Sequence, residues 1–297
     1  MKRRNFLKTM GVGAISMAVF NEYACSGNVG EQLPSIGLIT GLGGRWLRDN
    51  PREALTKIAE WGYTDLEFGG TLGGMKNDEL LPFLQSLGLK PLIGSAGMAS
   101  IIDEDLLKAD IKRSLEQGKQ FVACYWPWIS DGQGQKIDDW KEVADNLNKG
   151  AAVCQREGIT LIYHNHDLEF YPVEGQMPFD VLMSRLDPAV GIELDLYWIT
   201  KGGQSAVEYI QKYPGRFPVF HVKDMPDTVK CGQGQTDFST LTERDFACVG
   251  SGCIDFAEIF KLNKVSGAKH FVVENDKPDD PATCIESSAK NLLALRF

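Results

Sequence analysis

The sequence contains seven cysteines but lacks a C-x-x-C pair. Structural zinc sites are commonly built from such pairs, so the pattern argues against a fold held together by zinc. Cys124 and Cys154 lie in apolar segments and are predicted to be small core residues. Cys231, Cys248 and Cys253 share one polar region, where an oxidising compartment would permit a disulfide that the sequence alone does not establish.

Positive charge is also scarce. The 297 residues include 31 Lys and Arg against 40 Asp and Glu, a net charge of −9. The first 30 residues hold four of the basic residues and one of the acidic residues, so residues 31–297 keep 27 basic and 39 acidic residues, a net charge of −12. Acidic proteins repel phosphate backbones, and the sequence has no Arg/Lys cluster or P-loop that would mark a phosphate site. Nucleic acid is therefore not an expected partner, and a ligand without phosphate is favoured.

The N-terminal segment lacks an apolar run long enough to cross a bilayer. Arg3 and Arg4, followed by Phe-Leu-Lys at residues 6–8, resemble the twin-arginine export motif, and the short apolar run over residues 10–20 suits a signal segment. We predict an export leader over residues 1–30; a basic, frayed terminus is the alternative. Cys25 resembles a lipoprotein attachment cysteine, which predicts a periplasmic protein or a membrane-anchored lipoprotein, and a leader that is simply cleaved is the alternative.

The rest of the chain, residues 31–297, has no G-x-G-x-x-G loop after its first apolar run, which argues against a doubly wound nucleotide-binding sheet. Instead, short apolar runs alternate with longer helical patterns. The predicted strands are residues 36–39, 65–68, 91–94, 120–125, 159–165, 190–194, 218–222 and 270–274. The predicted helices are residues 50–61, 77–87, 103–117, 138–157, 179–186, 205–213, 255–263 and 282–295. This alternation predicts a parallel sheet, and the length fits a single α/β domain, a (β/α)8 TIM barrel.

Polar residues collect where the predicted strands end, which is the end of a (β/α)8 barrel that carries function. Three of the four histidines in the chain are among them. The strand-end residues are Glu67, His164, His166, Asp195, His221, Lys223 and Glu274. Histidine and carboxylate side chains that converge on one barrel mouth predict a divalent metal ion, with Mn²⁺, Zn²⁺, Co²⁺ and Mg²⁺ as candidates. Taken singly, Asp195 could be a helix N-cap, and each histidine could be a hydrogen-bonded structural residue.

Further residues lie near these strand ends, and some of them are candidates for substrate binding. Strand alternation places Glu193 on the same side as Asp195, one step deeper. Glu67 and Lys223 could bind sugar hydroxyls, although Lys223 could instead pair with Asp224 or another carboxylate. Tryptophans that follow predicted strand ends suit stacking on a sugar or packing at the rim. They are Trp46, Trp126, Trp128 and Trp198.

Six short segments occur in a fixed order along the chain. They are GYTDLE at 62–67, GITLIYHNH at 158–166, VGIELD at 190–195, HVKD at 221–224, GSGCIDF at 250–256 and FVVEND at 271–276. In order and spacing they resemble the xylose-isomerase-like barrel superfamily and, more narrowly, its sugar phosphate isomerase/epimerase group. The resemblance extends over about residues 35–297.

The resemblance implies a metal ion held at the ends of strands five to eight by Glu, Asp, His and Glu. Asp195, His221 and Glu274 match the last three positions, but His164 stands where the family often has the glutamate. A His/Asp/His/Glu set supplies two negative charges instead of three. We therefore expect a less neutralised metal ion that is a stronger Lewis acid.

The resemblance also implies that the family's epimerases use two carboxylate bases, one on each face of the enediolate. The glutamate that His164 replaces is one of these two bases. His166 or Glu169 is the alternative base, with Glu274 and Lys223 as the other catalytic candidates. The expected activity is metal-dependent isomerisation or epimerisation of a small sugar or keto-sugar through an enediolate.

Two other activities stay open at this point. Elimination shares the first step of isomerisation, so an exported lyase or hydratase that acts on 3-keto-glycosides or related oxidised sugars is one alternative. A carbohydrate-binding barrel without catalysis is the other. The superfamily's DNA-repair endonucleases are disfavoured, because they need basic contacts to phosphate.

Overall fold

The computed structural model describes residues 30–130 and 132–297. Residues Glu31–Phe297 form one compact unit. The leader predicted over residues 1–30 lies, except for its last residue, outside the described residues, as does Cys25, so both stay predictions. Within the described part of the chain, no helix combines the length and the hydropathy needed to cross a membrane.

Eight parallel strands close into a barrel in chain order. They are β1 (Gly37–Ile39), β2 (Asp65–Glu67), β3 (Lys90–Ser95), β4 (Phe121–Cys124), β5 (Thr160–His164), β6 (Gly191–Asp195), β7 (Val219–Val222) and β8 (His270–Val273). Each begins and ends within one residue of a predicted strand, so the predicted (β/α)8 barrel is confirmed. The strands are short apolar runs because helices cover the outside of the barrel and bury both faces.

The helices follow the predicted alternation with a few additions. Within the described residues they are α1 (Gly44–Asp49), α2 (Pro51–Glu60), α3 (Asn77–Leu87), α4 (Met98–Ile101), α5 (Glu104–Glu116), α6 (Ile137–Glu157), α7 (Pro178–Arg185), α8 (Leu196–Lys201), α9 (Ala206–Lys212), α10 (Phe256–Phe260), α11 (Asn263–Ser266) and α12 (Pro281–Ala294). The helix predicted over residues 255–263 is divided into α10 and α11. The sequence did not predict α1, α4 and α8, because four to six residues are too few to show a helical period.

An apolar layer fills the barrel interior below the polar strand ends. This buried cluster includes Ile162 and Val219, which lie two residues before His164 and His221. Residues two apart in a strand point to the same face, so each histidine continues an inward-facing column of side chains. The polar residues therefore lie above a layer of buried apolar side chains.

Strand register then sets which polar side chains are neighbours. His164 of β5 is level with Glu193 of β6, and Asp195 of β6 is level with His221 of β7. Adjacent strands are about 4.8 Å apart, so side chains level with one another on the inner face touch. This register therefore brings the inward-facing side chains at the ends of β5, β6 and β7 into one cluster.

A disulfide joins Cys248, in the loop before α10, to Cys284 in α12. Sequence reasoning left a disulfide among the three loop cysteines open, and the structure instead pairs one of them with a helix residue 36 positions later. Cys124 and Cys154 are buried, as predicted.

Replacing Cys248 and Cys284 together with serine should lower the free energy of unfolding by about 2–4 kcal/mol, because a cross-link of this span restricts the unfolded chain. Urea unfolding followed by tryptophan fluorescence measures the difference. A reductant should bring the wild type to the stability of the double variant. A matched Cys231→Ser/Cys253→Ser variant should have a free energy of unfolding close to that of the wild type. Equal stability of the wild type and both double variants in the absence of reductant would contradict the expectation.

Candidate metal centre

Four side chains from consecutive strand ends meet at the C-terminal end of the barrel. They are His164, Asp195, His221 and Glu274, and each offers a ligand atom within 4.8 Å of the others. His164 ends β5, Asp195 ends β6, His221 lies in β7 and Glu274 directly follows β8. The structure thus brings together the four residues that the sequence analysis named as metal ligands.

Asp195 uses its two carboxylate oxygens differently. Oδ1 accepts a hydrogen bond of 2.8 Å from the backbone N–H of Trp198 and so caps α8. Oδ2 is buried and has no hydrogen-bond partner among the described residues. It lies 3.9 Å from His164 Nε2, 4.0 Å from His221 Nδ1 and 3.9 Å from Lys223 Nζ. The N-cap and the metal-ligand interpretations of Asp195 are therefore compatible.

The fully buried His221 ring has a carboxyl group at each of its nitrogen atoms. Nδ1 is 3.0 Å from Glu274 Oε2, and Nε2 is 2.9 Å from Glu67 Oε2. Glu193 Oε1 is 3.2 Å from Nε2 but lacks the alignment of a hydrogen bond. Burial alone would lower the pKa of His221, but the surrounding glutamates outweigh burial and raise this pKa well above its usual value.

The neighbouring His164 ring shifts in the opposite direction. Burial, and then the charge of the nearby His221, holds the pKa of His164 well below its usual value. The two ring centroids are 4.7 Å apart, so both rings cannot be charged together at low cost. His164 Nδ1 lies 3.2 Å from Glu193 Oε2. His164 is therefore a neutral imidazole with one nitrogen on Glu193 and the other toward Asp195.

A cation fits this cluster. The carboxyl groups of Glu67, Glu193 and Asp195 are fully buried, and buried negative charge is costly without a positive partner. Asp195 Oδ2, which has no hydrogen-bond partner among the described residues, is an oxygen free to bind a positive ion. Two imidazole nitrogens with two carboxylates form a donor set that suits Zn²⁺, Co²⁺ or Mn²⁺.

Lys223 is a fully buried lysine beside this cluster. Its Nζ donates to Asp276 and, at 3.4 Å, to Glu274 Oε2. It also lies 4.7 Å from the centre of the Trp198 ring. Burial alone would lower the pKa of Lys223, but the carboxylates outweigh burial and raise it. The ion-pair interpretation therefore holds, with Asp276 as the main partner in place of Asp224.

Asp224 instead anchors the loop that follows β7. Its carboxylate accepts backbone hydrogen bonds from Gly250 at 2.8 Å, Gly252 at 2.9 Å and Ile254 at 3.2 Å. A Cβ atom at Gly252 would lie 2.3 Å from Asp224 Oδ1, so only glycine permits this approach. The HVKD segment thus supplies the carboxylate, and the GSGCIDF segment supplies the backbone N–H groups that bind it. These hydrogen bonds fix the backbone next to Lys223.

A cleft of about 370 Å³ opens beside the metal-ligand candidates. His164, His166, Glu274 and Glu67 line it, together with Tyr125, whose hydroxyl donates to Glu67. Among the described residues, no lysine or arginine lines this cleft. The cleft therefore offers imidazole, carboxyl and hydroxyl groups to a ligand.

His166 lies among aromatic rings. Its ring centroid is 5.4 Å from Trp126, 5.4 Å from Phe238 and 5.5 Å from Trp198. Trp126 keeps 42% of its surface exposed, whereas Trp198 is buried. Burial lowers the pKa of His166 to about 3, and no described residue hydrogen-bonds to its Nδ1. His166 is therefore a neutral imidazole beside the cleft.

None of the four tryptophan candidates is among the residues that line the cleft, although Trp126 and Trp198 contact His166. Trp46 packs against Trp61 with ring centroids 5.8 Å apart, and Trp128 packs against Trp140 at 4.6 Å. Neither Trp46 nor Trp128 lines the cleft. These two tryptophans contribute to packing between helices and loops.

Glu169 is not part of the cleft lining either. Its fully buried carboxyl group accepts hydrogen bonds from the Tyr163 hydroxyl and from the backbone N–H of His166. Burial raises the pKa of Glu169 to about 8. Glu169 thus braces the turn after β5 and positions the backbone of His166.

Three residues of the cluster had no role in the sequence analysis. Tyr125 directly follows β4, and the strand-end rule applied to that strand would have found it. Glu193 was placed on the inner face, but its contacts depend on the register between β5 and β6. Asp276 lies beyond the end of β8, and its pairing with Lys223 had no sequence signal.

The fold and the cluster define a closed (β/α)8 barrel with a candidate metal site at its C-terminal end. Residues 55–294 match the family described as xylose isomerase-like TIM barrel. The chain therefore belongs to the xylose isomerase-like TIM barrel family.

The chain is similar to several individual proteins of known or described activity and to solved structures. An inosose dehydratase of Geobacillus kaustophilus is 29% identical over 268 residues, which cover 82% of this chain and 84% of the relative. The structure of a sugar phosphate isomerase/epimerase from Parabacteroides distasonis is 25% identical, with a TM-score of 0.72 over 88% of this chain and 93% of that one. The IOLI protein, whose structure contains a zinc atom, shares the fold at 16% identity, with a TM-score of 0.68 over 89% of this chain and 99% of that one.

The buried carboxyl group of Glu169 should make stability depend on pH. Its pKa is about 8 in the folded protein against an ordinary value of 4.5, so the folded protein keeps a proton that the unfolded chain releases. Stability relative to Glu169→Gln should therefore fall as the pH rises from about 4.5 to 8 and level off above that. Urea unfolding of both metal-free proteins from pH 5 to 9 measures this difference; a constant difference would contradict the expectation.

Proposed function

We propose that this chain is a divalent-metal-dependent enzyme that removes the proton next to the carbonyl group of a small keto-sugar and then eliminates water from it. The observation that carries the proposal is the unpartnered Asp195 Oδ2, which lies among His164, His221 and Glu274 beside a polar cleft. A buried carboxylate oxygen in that setting is an acceptor for a cation. The sugar-modifying relatives support the substrate class.

His164, Asp195, His221 and Glu274 would hold the metal ion. A divalent ion bound there would polarise the substrate carbonyl and stabilise the negative charge that appears when the neighbouring proton leaves. The chain's own residues would supply binding, orientation and proton transfer.

We assign proton transfer to His166. Its ring lines the cleft, it is not one of the four ligand candidates, and its Nδ1 has no hydrogen-bond partner among the described residues. One nitrogen of a neutral imidazole carries a lone pair, which can accept the proton from the substrate and return it to a leaving hydroxyl. Glu169 holds the backbone of His166 in place through a hydrogen bond of 3.0 Å.

Lys223 and Trp126 have supporting roles in this proposal. Burial alone would raise the pKa of Glu274, but Lys223 and His221 outweigh burial and hold it well below its usual value. Glu274 therefore stays ionised as a ligand. Trp126, which is exposed and adjacent to His166, offers an aromatic face to the apolar side of a sugar ring.

Elimination is favoured over epimerisation because of His164. Epimerisation with two bases needs a proton acceptor on each face of the substrate, and His164 is tied to Glu193 on one side and directed at Asp195 on the other. The Geobacillus dehydratase supports the same outcome. The Parabacteroides isomerase/epimerase supports the second candidate, epimerisation or isomerisation after the same first step.

Metal analysis of the purified protein tests the site. Wild type reconstituted with Zn²⁺, Mn²⁺ or Co²⁺ should hold close to one ion per chain, and His221→Ala should hold none. Asp195→Asn is the sharper variant, because its amide oxygen can still cap α8 while the negative charge is lost. It should fold with little change in Tm and lose the ion. A wild type that takes up no divalent ion would overturn the proposal in favour of a carbohydrate-binding barrel.

Turnover separates the two reactions. Keto-sugars incubated with the enzyme in D2O should exchange the proton next to the carbonyl group in either reaction. Elimination gives a product lighter than the substrate by one water, whereas epimerisation gives a product of the same mass as the substrate. His166→Asn should slow exchange by about 10²–10⁴-fold while it keeps the metal ion. Trp128→Phe, outside the cleft, is the control and should leave exchange unchanged. A full rate in His166→Asn would remove His166 from the mechanism.

We also propose that the barrel acts outside the cytoplasm. The support is the Arg3-Arg4 motif with its short apolar run, together with Cys25. Replacing Arg3 and Arg4 with lysine should retain the protein in the cytoplasm of an expressing bacterium, as cell fractionation would show. Cys25→Ser should release it from the membrane fraction if Cys25 carries a lipid; an unchanged soluble periplasmic protein would indicate simple cleavage.

A further inference from the structure

We infer that Glu193 is the positioning residue that makes His164 a metal ligand, by holding the proton of His164 on Nδ1 so that the lone pair of Nε2 faces Asp195. The inference rests on the proposed metal site. It assigns a role to a buried carboxyl group that neither binds substrate nor belongs to the four ligand candidates.

The contact between Glu193 and His164 is set by the barrel itself. The two residues are level in the register of β5 and β6, and His164 Nδ1 is 3.2 Å from Glu193 Oε2. Both side chains are closed to solvent, with exposures of 3% for His164 and 0% for Glu193. Water cannot replace this contact, so the orientation of the ring depends on it.

The contact decides the tautomer of His164. A neutral imidazole carries its proton on one nitrogen and a lone pair on the other, and a metal ion needs the lone pair. We assign the proton to Nδ1, which lies 3.2 Å from Glu193 Oε2, so that Glu193 is its acceptor. That leaves Nε2 unprotonated and directed at Asp195 Oδ2, which is 3.9 Å away. Ligand histidines are commonly oriented in this way by a carboxylate on the opposite ring nitrogen.

His221 provides an internal comparison. Its Nε2 is 2.9 Å from Glu67 Oε2, and its Nδ1 faces Glu274 and, at 4.0 Å, Asp195 Oδ2. The two histidines thus use opposite ring nitrogens. Glu193 hydrogen-bonds to His164, and its other oxygen lies 3.2 Å from His221 Nε2 without the alignment of a hydrogen bond, whereas Glu67 hydrogen-bonds to His221. The hydrogen bond of Glu193 therefore depends on residue 164, and that of Glu67 does not.

The dependence on residue 164 gives the inference its test. A glutamate at position 164 could bind a metal ion but has no N–H to donate to Glu193. Glu193 would then lie next to a second carboxyl group, the glutamate at position 164. Repulsion between the two groups would disfavour the ionised form of that glutamate, which is the form that binds a metal ion. The same substitution of Glu193 should therefore have opposite effects in the two backgrounds.

The experiment measures Zn²⁺ affinity by competition with a chelating dye at fixed pH and salt. The proteins are wild type, Glu193→Met, Glu193→Gln, His164→Glu and the double variant His164→Glu/Glu193→Met. Methionine removes the acceptor with little change in volume, and glutamine keeps one acceptor oxygen. Glu67→Gln, alone and with His164→Glu, is the matched control. Circular dichroism and Tm of the metal-free proteins check folding.

In the wild-type background, Glu193→Met should weaken Zn²⁺ binding by about 10–100-fold, and Glu193→Gln should weaken it less. With glutamate at 164, Glu193→Met should leave the affinity unchanged or increase it. Glu67→Gln should weaken binding in both backgrounds.

Three results would overturn the inference in distinguishable ways. Equal Zn²⁺ affinity of wild type and Glu193→Met, or equal losses in both backgrounds, would reduce Glu193 to a packing residue and leave the proposed function standing. Two Zn²⁺ ions per wild-type chain, with one lost in Glu193→Met, would make Glu193 a ligand, since Glu67, Glu193 and His221 also lie within 4.8 Å of one another. No binding in any protein, wild type included, would remove the metal site itself.

Discussion

The burial of several carboxyl groups at one end of the barrel is the constraint on which the rest of the structure depends. Glu67, Glu193 and Asp195 have no exposed surface, and each would be costly there without hydrogen bonds or positive partners. Lys223 supplies part of the compensation, and so does His221 while it carries a proton and binds no metal ion. Asp195 Oδ2 still lacks a hydrogen-bond partner among the described residues, and a cation bound there would supply a further positive partner.

The fold meets this constraint through features that are ordinary in themselves. The two-residue period of β6 puts Glu193 directly below Asp195, and the register with β5 sets Glu193 beside His164. A helix N-terminus takes up one oxygen of Asp195 and so fixes the direction of the other. The loop after β7 is fastened to Asp224, which keeps the backbone at Lys223 in place. Each part therefore has a structural role whether or not an ion is bound.

The sequence predicted the strands to within one residue, because buried strands read as short apolar runs between helical patterns. It also indicated His164, Asp195, His221 and Glu274, since strand ends in a barrel share one face. It did not predict what depends on contacts across strands or on the direction of a side chain. Glu169 lies close to His166 in the chain but turns toward Tyr163, and Trp46 turns toward Trp61. Cys248 pairs with a helix residue that is distant in sequence, which no local pattern indicates.

The positions of Glu193 and His164 also change the expected character of the metal site. Counting ligand charges alone, a histidine in place of a glutamate removes one negative charge and leaves a stronger Lewis acid. The structure places a carboxyl group 3.2 Å behind that histidine, on the far side of one imidazole ring. Electrostatic attraction falls with distance, so a charge one ring away neutralises the ion less than a direct ligand does, but more than solvent would. With an ion bound, the site would be intermediate between the two ligand sets. The ion would keep more of its polarising power than with a glutamate ligand, and the nearby carboxyl group would orient a ligand in place of moving a proton.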